Sequence, residues 1–92
     1  MTRALTRTAL YRLFDHTGRL LYVGITGDIE TRMKSHAGKQ KWWRSVDTDR
    51  TTVGWHDTRA AAEEAERVAI RDERPLWNHR DSPWRAYPKA PG

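Results

Sequence analysis

Residues 20–36 decide the fold, and their sequence is LLYVGITGDIETRMKSH. Its apolar beginning predicts a strand that stops at Gly24, and segment 26–28, Thr-Gly-Asp, supplies candidate N-caps for a helix. In that helix Arg32 and His36 lie one turn apart on one face, because successive residues are rotated by about 100°. The stretch therefore predicts a strand that leads through a glycine turn into a helix, with polar and aromatic groups converging on one corner.

Composition restricts the kind of protein. The chain has 92 residues, enough for one small domain, and 17 Lys and Arg against 12 Asp and Glu leave a net charge of +5. This excess is typical of proteins that bind nucleic acid, although ribosomal-type and membrane-surface proteins share it. The absence of cysteine excludes disulfides and cysteine-ligated zinc. No apolar run approaches the roughly 20 residues of a membrane span, so a soluble, cytoplasmic protein is expected.

A β-hairpin is predicted before the helix. Residues 8–14, TALYRLF, form its first strand, and the turn-like sequence DHTG joins them to the second strand. Two registers are open. If the turn is centred on His16 and Thr17 without a bulge, Tyr11 lies opposite Tyr22 and both side chains share one face. If Gly18 forms a bulge, the register slips by one residue and the tyrosines point to opposite faces.

The rest of the chain predicts three further elements. Residues 39–46, KQKWWRSV, favour a second short helix with one tryptophan in the core and the other at the surface. Residues 51–56 favour a third strand. A long helix runs from Arg59 to about Arg74, with Thr58 as its N-cap and Pro75 as its end.

These elements predict an α+β fold, a small three-stranded antiparallel sheet flanked by helices in the order β-β-α-α-β-α. Residues 8–78 form the domain. Residues 1–7 are expected to be a basic N-terminal arm, and residues 79–92 a C-terminal tail rich in Pro, Arg and aromatic residues.

One carboxylate of the long helix is a candidate metal ligand. At about 100° per residue, Glu66 lies roughly 90° from the centre of the apolar stripe, closer to the core than Glu63 or Glu64. Glu73 is closer still by angle, but it lies beside Pro75, where a helix frays. Glu66 is therefore the carboxylate best placed at the rim of the core.

The ordered set of motifs resembles the GIY-YIG nuclease superfamily. In that family a GIY tripeptide on the first strand is followed after ten or eleven residues by YIG on the second, then by an arginine in the next helix and a glutamate in the last. The matching residues in this chain are Ala9-Leu10-Tyr11, Tyr22-Val23-Gly24, Arg32, His36 one turn later, Glu66, and Asn78 three residues after Pro75. The resemblance covers residues 8–78.

The resemblance implies a metal-dependent DNA endonuclease that hydrolyses phosphodiester bonds. It implies a single Mg²⁺, or Mn²⁺, held by Glu66, and an Arg32 that fixes the scissile phosphate. Tyr22 is expected to act as the general base with Tyr11 as its positioning partner, and His36 as a second phosphate contact or alternative proton acceptor.

Two features depart from the family pattern. Ala9-Leu10 replaces Gly-Ile in the first tripeptide, and Ile25 stands where some members carry a lysine. Without that lysine, the metal or nearby arginines must lower the tyrosine pKa from its ordinary value near 10. The expected nucleic-acid contacts are the basic residues of the first helix and the segment after it, namely Arg32, Lys34, Lys39, Lys41 and Arg44.

Two other functions remain open. The chain can be a basic nucleic-acid-binding module that keeps the same fold with little or no cleavage, or a structural protein whose positive charge serves assembly. All three functions need a basic face, but only the endonuclease needs Glu66. If Glu66 does not approach Tyr22 and Arg32 in space, the enzyme hypothesis fails.

Overall fold

The computed structural model describes residues 7–78. Most of the predicted basic arm and the whole of the predicted tail lie outside this range, so the domain boundaries stay a prediction. No helix in the described range is long and apolar enough to cross a membrane.

The order of strands and helices is the predicted one, and the fold is α+β. The elements are β1 (Thr8–Phe14), β2 (Leu20–Thr26), α1 (Ile29–Lys39), β3 (Thr52–His56) and α2 (Arg59–Glu73). The strands form one antiparallel sheet in the order β2-β1-β3, with β1 in the centre. The predicted three-stranded antiparallel sheet with flanking helices is therefore confirmed.

Several local boundaries differ from the prediction. β2 does not stop at Gly24, because its ladder to β1 extends to Thr26. The first helix extends through Lys39, a residue that the prediction assigned to the second short helix. The predicted second short helix is a 3₁₀ helix at Lys41–Ser45, and a further 3₁₀ turn, Thr48–Arg50, precedes β3.

Both α-helices begin at a capping side chain within the predicted segments. The Asp28 carboxylate accepts from the Thr31 amide at 3.1 Å, and the Thr58 hydroxyl accepts from the Ala61 amide at 3.0 Å. Hydrogen bonds from the backbone and side chain of Thr31 also lower the pKa of Asp28. These caps satisfy backbone donors that a helix start leaves unpaired.

The hairpin turn contains the bulge that the second register required. The Gly18 amide donates to the Asp15 carbonyl oxygen at 3.0 Å, and Gly18 has a φ of 91°, in the region that favours glycine. The Asp15 carboxylate accepts from the amides of Thr17 and Arg19 at 2.8 and 2.9 Å. The turn therefore shifts the register by one residue.

A second shift follows in β2 and reverses the effect of the first. Phe14 pairs with Leu20 and Leu13 pairs with Tyr22, so Leu21 is an extra residue in β2. Tyr11 consequently lies opposite Gly24, two positions from Tyr22, and residues two apart on a strand share a face. The bulge-free register is wrong, and so is the expectation that a bulge at Gly18 separates the tyrosines.

The sheet carries an apolar core on each face. On one face α2 packs its buried residues Ala62, Ala69 and Ile70 against Leu10, Val23 and Ile25. On the other face, α1 and the 3₁₀ helix pack against Tyr11, Leu13 and Leu21, together with Val46. The exposed rim of the α2 face is closed by a two-bond ion pair, in which the Arg12 guanidinium donates to both Glu73 oxygens at 2.9 and 2.7 Å.

The segment after α2 lies along the outer edge of β2. The Trp77 amide donates to the Leu21 carbonyl oxygen at 2.7 Å, while the Trp77 residue is 38% exposed. The buried Asn78 side chain accepts from the Val23 amide at 2.7 Å and donates to the Val23 carbonyl oxygen at 2.9 Å. Asn78 therefore pairs both backbone polar groups of the middle residue of the Tyr22-Val23-Gly24 tripeptide.

Candidate active site

Tyr11 lies at the centre of the site, and Gly24 makes room for it. Tyr11 is completely buried on β1. A Cβ atom at Gly24 would lie 2.5 Å from the Tyr11 hydroxyl oxygen and 2.9 Å from Cε2 of Tyr22. Contacts this short do not occur in folded proteins, so the glycine that ends the second tripeptide is required for both tyrosine rings to occupy this face.

A hydrogen bond joins Tyr11 to α1. Its hydroxyl oxygen lies 2.7 Å from Nε2 of His36, which is itself 5% exposed. Burial raises the pKa of Tyr11, and burial together with the charge of Arg32 lowers the pKa of His36. Both groups are therefore neutral near pH 7. The hydroxyl donates, and the imidazole accepts at Nε2 with its own proton on Nδ1.

The second tyrosine belongs to an aromatic cluster around His36. The half-buried Tyr22 ring lies 6.1 Å from the Tyr11 ring, 4.9 Å from the His36 ring and 5.3 Å from the Trp42 ring, measured between centroids. Trp43 stacks near His36 at 6.4 Å. Instead of one core and one surface tryptophan, both tryptophans of the 3₁₀ helix are half-buried against this cluster.

Arg32 projects its charge onto the same group of residues. Its guanidinium lowers the pKa values of Tyr11, His36 and Glu66. For Tyr11 it also acts as a side-chain hydrogen-bond partner that favours the phenolate. Since charges act strongly only over short distances in a protein, these side chains converge on one region.

Glu66 reaches this region from α2 on the other side of the sheet. Burial is the main cause that raises its pKa, with Glu63 adding to the shift and the cations Arg59 and Arg32 opposing it. The charge of Glu66 in turn raises the pKa of Tyr11. The structure thus brings Glu66 within electrostatic range of Arg32 and Tyr11, and Tyr11 is stacked on Tyr22.

The donor set at Glu66 fits a magnesium-like ion. Within residues 7–78 no hydrogen bond or ion pair occupies its half-buried carboxylate, and no cluster of three or more acidic or histidine ligands exists. Mg²⁺ is commonly held by one or two carboxylates and keeps several of its waters. A lone, partly buried carboxylate within electrostatic range of the Arg32 guanidinium fits that chemistry. The lack of a three-ligand cluster excludes a structural zinc site in the described range.

Positive charge is distributed unevenly over the described surface. Lys39, Lys41 and Arg44 are exposed and have no ion pair within residues 7–78, while Lys34 pairs with Glu30 at 4.0 Å. On α2, by contrast, acidic side chains pair with arginines. These pairs are Arg59–Glu63, Arg67–Glu64 and Arg71–Asp72. Lys39, Lys41 and Arg44 therefore place uncompensated positive charge on the side of α1 and the 3₁₀ helix.

Two contacts of the site were not predicted. Sequence matching singled out Asn78 without a role, and the structure gives it one in fixing Val23. The close approach of Tyr11 to Gly24 was not foreseen, because it depends on the register. An asparagine three residues after a helix-ending proline was the only sequence signal for the first contact.

Comparison with known proteins identifies the family. Neither the curated proteins nor the solved structures yield a match. The family model described as the GIY-YIG catalytic domain matches residues 7–81, most of the chain. The matched range contains the two stacked tyrosines, the arginine and histidine of α1, and the glutamate of α2. The chain therefore belongs to the GIY-YIG nuclease family.

Proposed function

We propose that this protein is a divalent-metal-dependent DNA endonuclease that hydrolyses phosphodiester bonds at a single-metal site. The observation that carries the proposal is the convergence on the Tyr11 hydroxyl of a proton acceptor, His36, a cation, Arg32, and a carboxylate, Glu66. Hydrolysis of a phosphodiester needs these three kinds of group, for water activation, phosphate neutralisation and metal binding.

Water activation is assigned to Tyr11 with His36 as its proton acceptor. The Tyr11 proton passes along the 2.7 Å hydrogen bond to Nε2, and the phenolate then takes a proton from the attacking water. This exchanges the tyrosine roles expected from the sequence, because Tyr11 has an acceptor in hydrogen-bond contact. Tyr22 then positions both rings by stacking. The burial of His36 also favours proton acceptance over phosphate contact.

Phosphate binding is assigned to Arg32. In the described structure its charge bears on the Tyr11 hydroxyl, and Tyr11 is sealed from solvent. A bound phosphate attracts the guanidinium through charge-assisted hydrogen bonds. Moving Arg32 onto the phosphate opens the hydroxyl to water at the moment when substrate is present.

Metal binding is assigned to the Glu66 carboxylate, with Mg²⁺ or Mn²⁺ as the ion. Bound there, the ion supplies charge neutralisation at the phosphate and stabilisation of the leaving 3′ oxygen. Lys39, Lys41 and Arg44 contact the DNA backbone on either side, with Lys34 contributing once its weak pair with Glu30 exchanges for phosphate.

A plasmid-nicking assay tests the proposal. Supercoiled plasmid is incubated with Mg²⁺ and the wild-type protein, Glu66→Gln or Arg32→Ala. We expect metal-dependent nicking that falls about 100-fold or more in either variant, the usual cost of losing one transition-state charge contact. Glu64→Gln, on an exposed turn of the same helix, should cut like the wild type. Activity that survives Glu66→Gln contradicts the proposal.

A second pair of variants tests the tyrosine assignment. Tyr11→Phe keeps the ring but loses the proton that His36 accepts, so we expect nicking to fall to the level of Glu66→Gln. Tyr22→Phe keeps the stacking ring and should retain much of the activity. If instead Tyr22→Phe is inactive and Tyr11→Phe active, Tyr22 is the base.

A nucleic-acid-binding module with little cleavage is the second candidate. The complete burial of the Tyr11 hydroxyl favours it, because a group sealed from water cannot act on water. Salt-dependent DNA binding by all variants, without nicking across a range of metals, would establish this candidate.

A further inference from the structure

β3 exposes two large apolar side chains on the face of the sheet that carries the site. Val53 is 42% exposed and Trp55 is 44% exposed. Val53 pairs with Tyr11, and Trp55 pairs with Ala9, two residues earlier on β1. Because directly paired residues of an antiparallel sheet share a face, Trp55 and Val53 lie on the same side as Tyr11.

Folding does not account for this exposure. α1 and the 3₁₀ helix cover the tyrosines of β1 and β2, and their cluster includes Trp42 and Trp43 but neither Val53 nor Trp55. Leaving an indole and an isopropyl group side by side in water forgoes about 25 cal/mol per Å² of apolar surface that burial would gain. Such exposed apolar groups commonly mark a surface that a partner covers.

A cation accompanies the exposed tryptophan. The Arg7 guanidinium carbon lies 4.8 Å from the centroid of the Trp55 ring. Within residues 7–78 Arg7 has no ion pair, so its charge is available to a partner. An aromatic ring beside an uncompensated arginine can bind a nucleotide in two ways: the ring stacks on the base, and the arginine forms an ion pair with the phosphate.

We propose that Trp55, with Arg7, binds an unpaired nucleobase of the substrate next to the scissile phosphate. We call Trp55 and Arg7 together the stacking platform. The inference rests on the proposed function, since it places this platform beside the cleavage site. Stacking requires a base that is free of its duplex neighbours, so the platform favours DNA with unpaired nucleotides over continuous duplex. Charge complementarity favours nucleic acid as the partner of this surface. Arg7 lies on the same side of the sheet as the uncompensated Lys39, Lys41 and Arg44.

Binding measured without cleavage tests the platform separately from the nuclease. A short fluorescein-labelled duplex is compared with the same duplex carrying a few unpaired thymidines at its centre, by fluorescence anisotropy in EDTA. We expect the wild type to bind the interrupted duplex more tightly. Trp55→Ala should weaken that binding by about five- to a hundred-fold and leave duplex binding within about threefold.

Matched variants separate stacking from general damage. Trp55→Phe keeps a stacking ring and should retain most of the preference. Trp77→Ala removes another indole of similar exposure, 38%, and should leave the preference unchanged. Equal weakening of both DNAs by Trp55→Ala, or no weakening of either, overturns the proposal. The proposal is also overturned if the wild-type protein is a dimer that Trp55→Ala converts to a monomer. That result would mean that a second copy of the chain covers β3.

A cross-linking measurement needs no variant. Bromodeoxyuridine replaces the unpaired thymidines, and the wild-type complex is irradiated in EDTA and analysed by mass spectrometry of its peptides. A cross-link on Trp55 supports the proposal, and a cross-link on Trp42 or Trp43 instead overturns it. Nicking in Mg²⁺ is recorded in parallel, so failure of the platform and failure of the nuclease give different results.

Discussion

Gly24 determines whether the two tyrosines can share a face. The Tyr11 ring crosses this position so closely that a methyl group would lie 2.5 Å from the hydroxyl oxygen and 2.7 Å from Cζ. Relief would require Tyr11 to move, and its hydroxyl would then leave the 2.7 Å contact with His36. The glycine therefore controls the Tyr11–His36 hydrogen bond, to which we assign the proton transfer.

Gly24→Ala should lose both stability and activity. Overpacking against a buried ring costs about 1–3 kcal/mol of unfolding free energy, measured by urea denaturation. Nicking should fall with it, since the pair is displaced. Gly54→Ala is the matched strand control, because a Cβ at Gly54 meets nothing within 4 Å. An equal effect of the two substitutions would contradict the steric argument.

His36 makes stability depend on pH in the acid range. Its folded pKa lies below the ordinary value of 6.5, because burial and Arg32 disfavour the charged ring. Below pH 6.5 the unfolded chain therefore binds more protons than the folded one, and the free energy of unfolding falls as the pH falls toward the folded pKa.

We expect the wild type to lose stability as the pH falls below about 6.5 and His36→Asn to lose it less steeply, measured by urea denaturation at each pH. If His36→Asn and wild type lose stability in parallel over this range, the imidazole is not responsible.

The elements show where sequence patterns suffice and where they do not. The bounds of β1 and the start and cap of α2 follow from local residue types, and the structure reproduces them. The register of β2 does not follow. A glycine in a turn signals the first bulge, but Leu21 lies inside a uniform apolar run that contains no sign of the second.

The positions of the site residues likewise follow only in part from the sequence. Spacing along α1 places Arg32 and His36 together, because a helix has a fixed period. That His36 bonds to Tyr11 depends on packing across 25 residues of sequence separation, which no local pattern encodes. The exposure of Trp55 likewise depends on how far α1 reaches across the sheet.

The segment after α2 stabilises β2 through one side chain. Asn78 pairs both backbone polar groups of Val23, a strand-edge residue that is completely buried. Buried backbone groups left without a partner each cost about 1–3 kcal/mol. This contact thus replaces the neighbouring strand that β2 lacks on that side within the described range.

Asn78→Ala should lower the free energy of unfolding by about 2–4 kcal/mol, measured by urea denaturation, because both Val23 groups lose their partner. Gln40→Ala removes an exposed amide that caps no helix through its side chain, and it should change stability by less than about 0.5 kcal/mol. A small effect of Asn78→Ala would mean that water replaces the amide.

At the scale of the whole molecule, the ion pairs of α2 and the unpaired cations near α1 lie on opposite sides of the sheet. All acidic residues of α2 except Glu66 pair with arginines, while Lys39, Lys41 and Arg44 have no ion pair within the described residues. The positive charge of these three residues therefore faces a partner from the side of α1 and the 3₁₀ helix. A polyanion approaching the protein is oriented toward the aromatic cluster before any specific contact forms.

Replacing Lys39, Lys41 and Arg44 together by glutamine should weaken DNA binding across sequences. The slope of log affinity against log salt should fall by about 2–3, since each phosphate contact contributes about 0.9. The control replaces Arg59, Arg67 and Arg71, which already have carboxylate partners, and should change the slope less. Fluorescence anisotropy over a salt series measures both. Equal slopes for the two triple variants would contradict the conclusion that DNA binds mainly through the unpaired cations on the α1 side.

The contact between Asn78 and Val23 spans 55 residues, so it can form only after the segment that follows α2 has been synthesised. A nascent chain that has released the tyrosines, Arg32 and even Glu66 from the ribosome still lacks the residue that holds the second tripeptide in place. Truncated translation products that end within α2 lack it permanently. We therefore expect such truncated chains to lack a fixed second tripeptide, and with it the arrangement of Tyr11, Tyr22 and Gly24 on one face of the sheet.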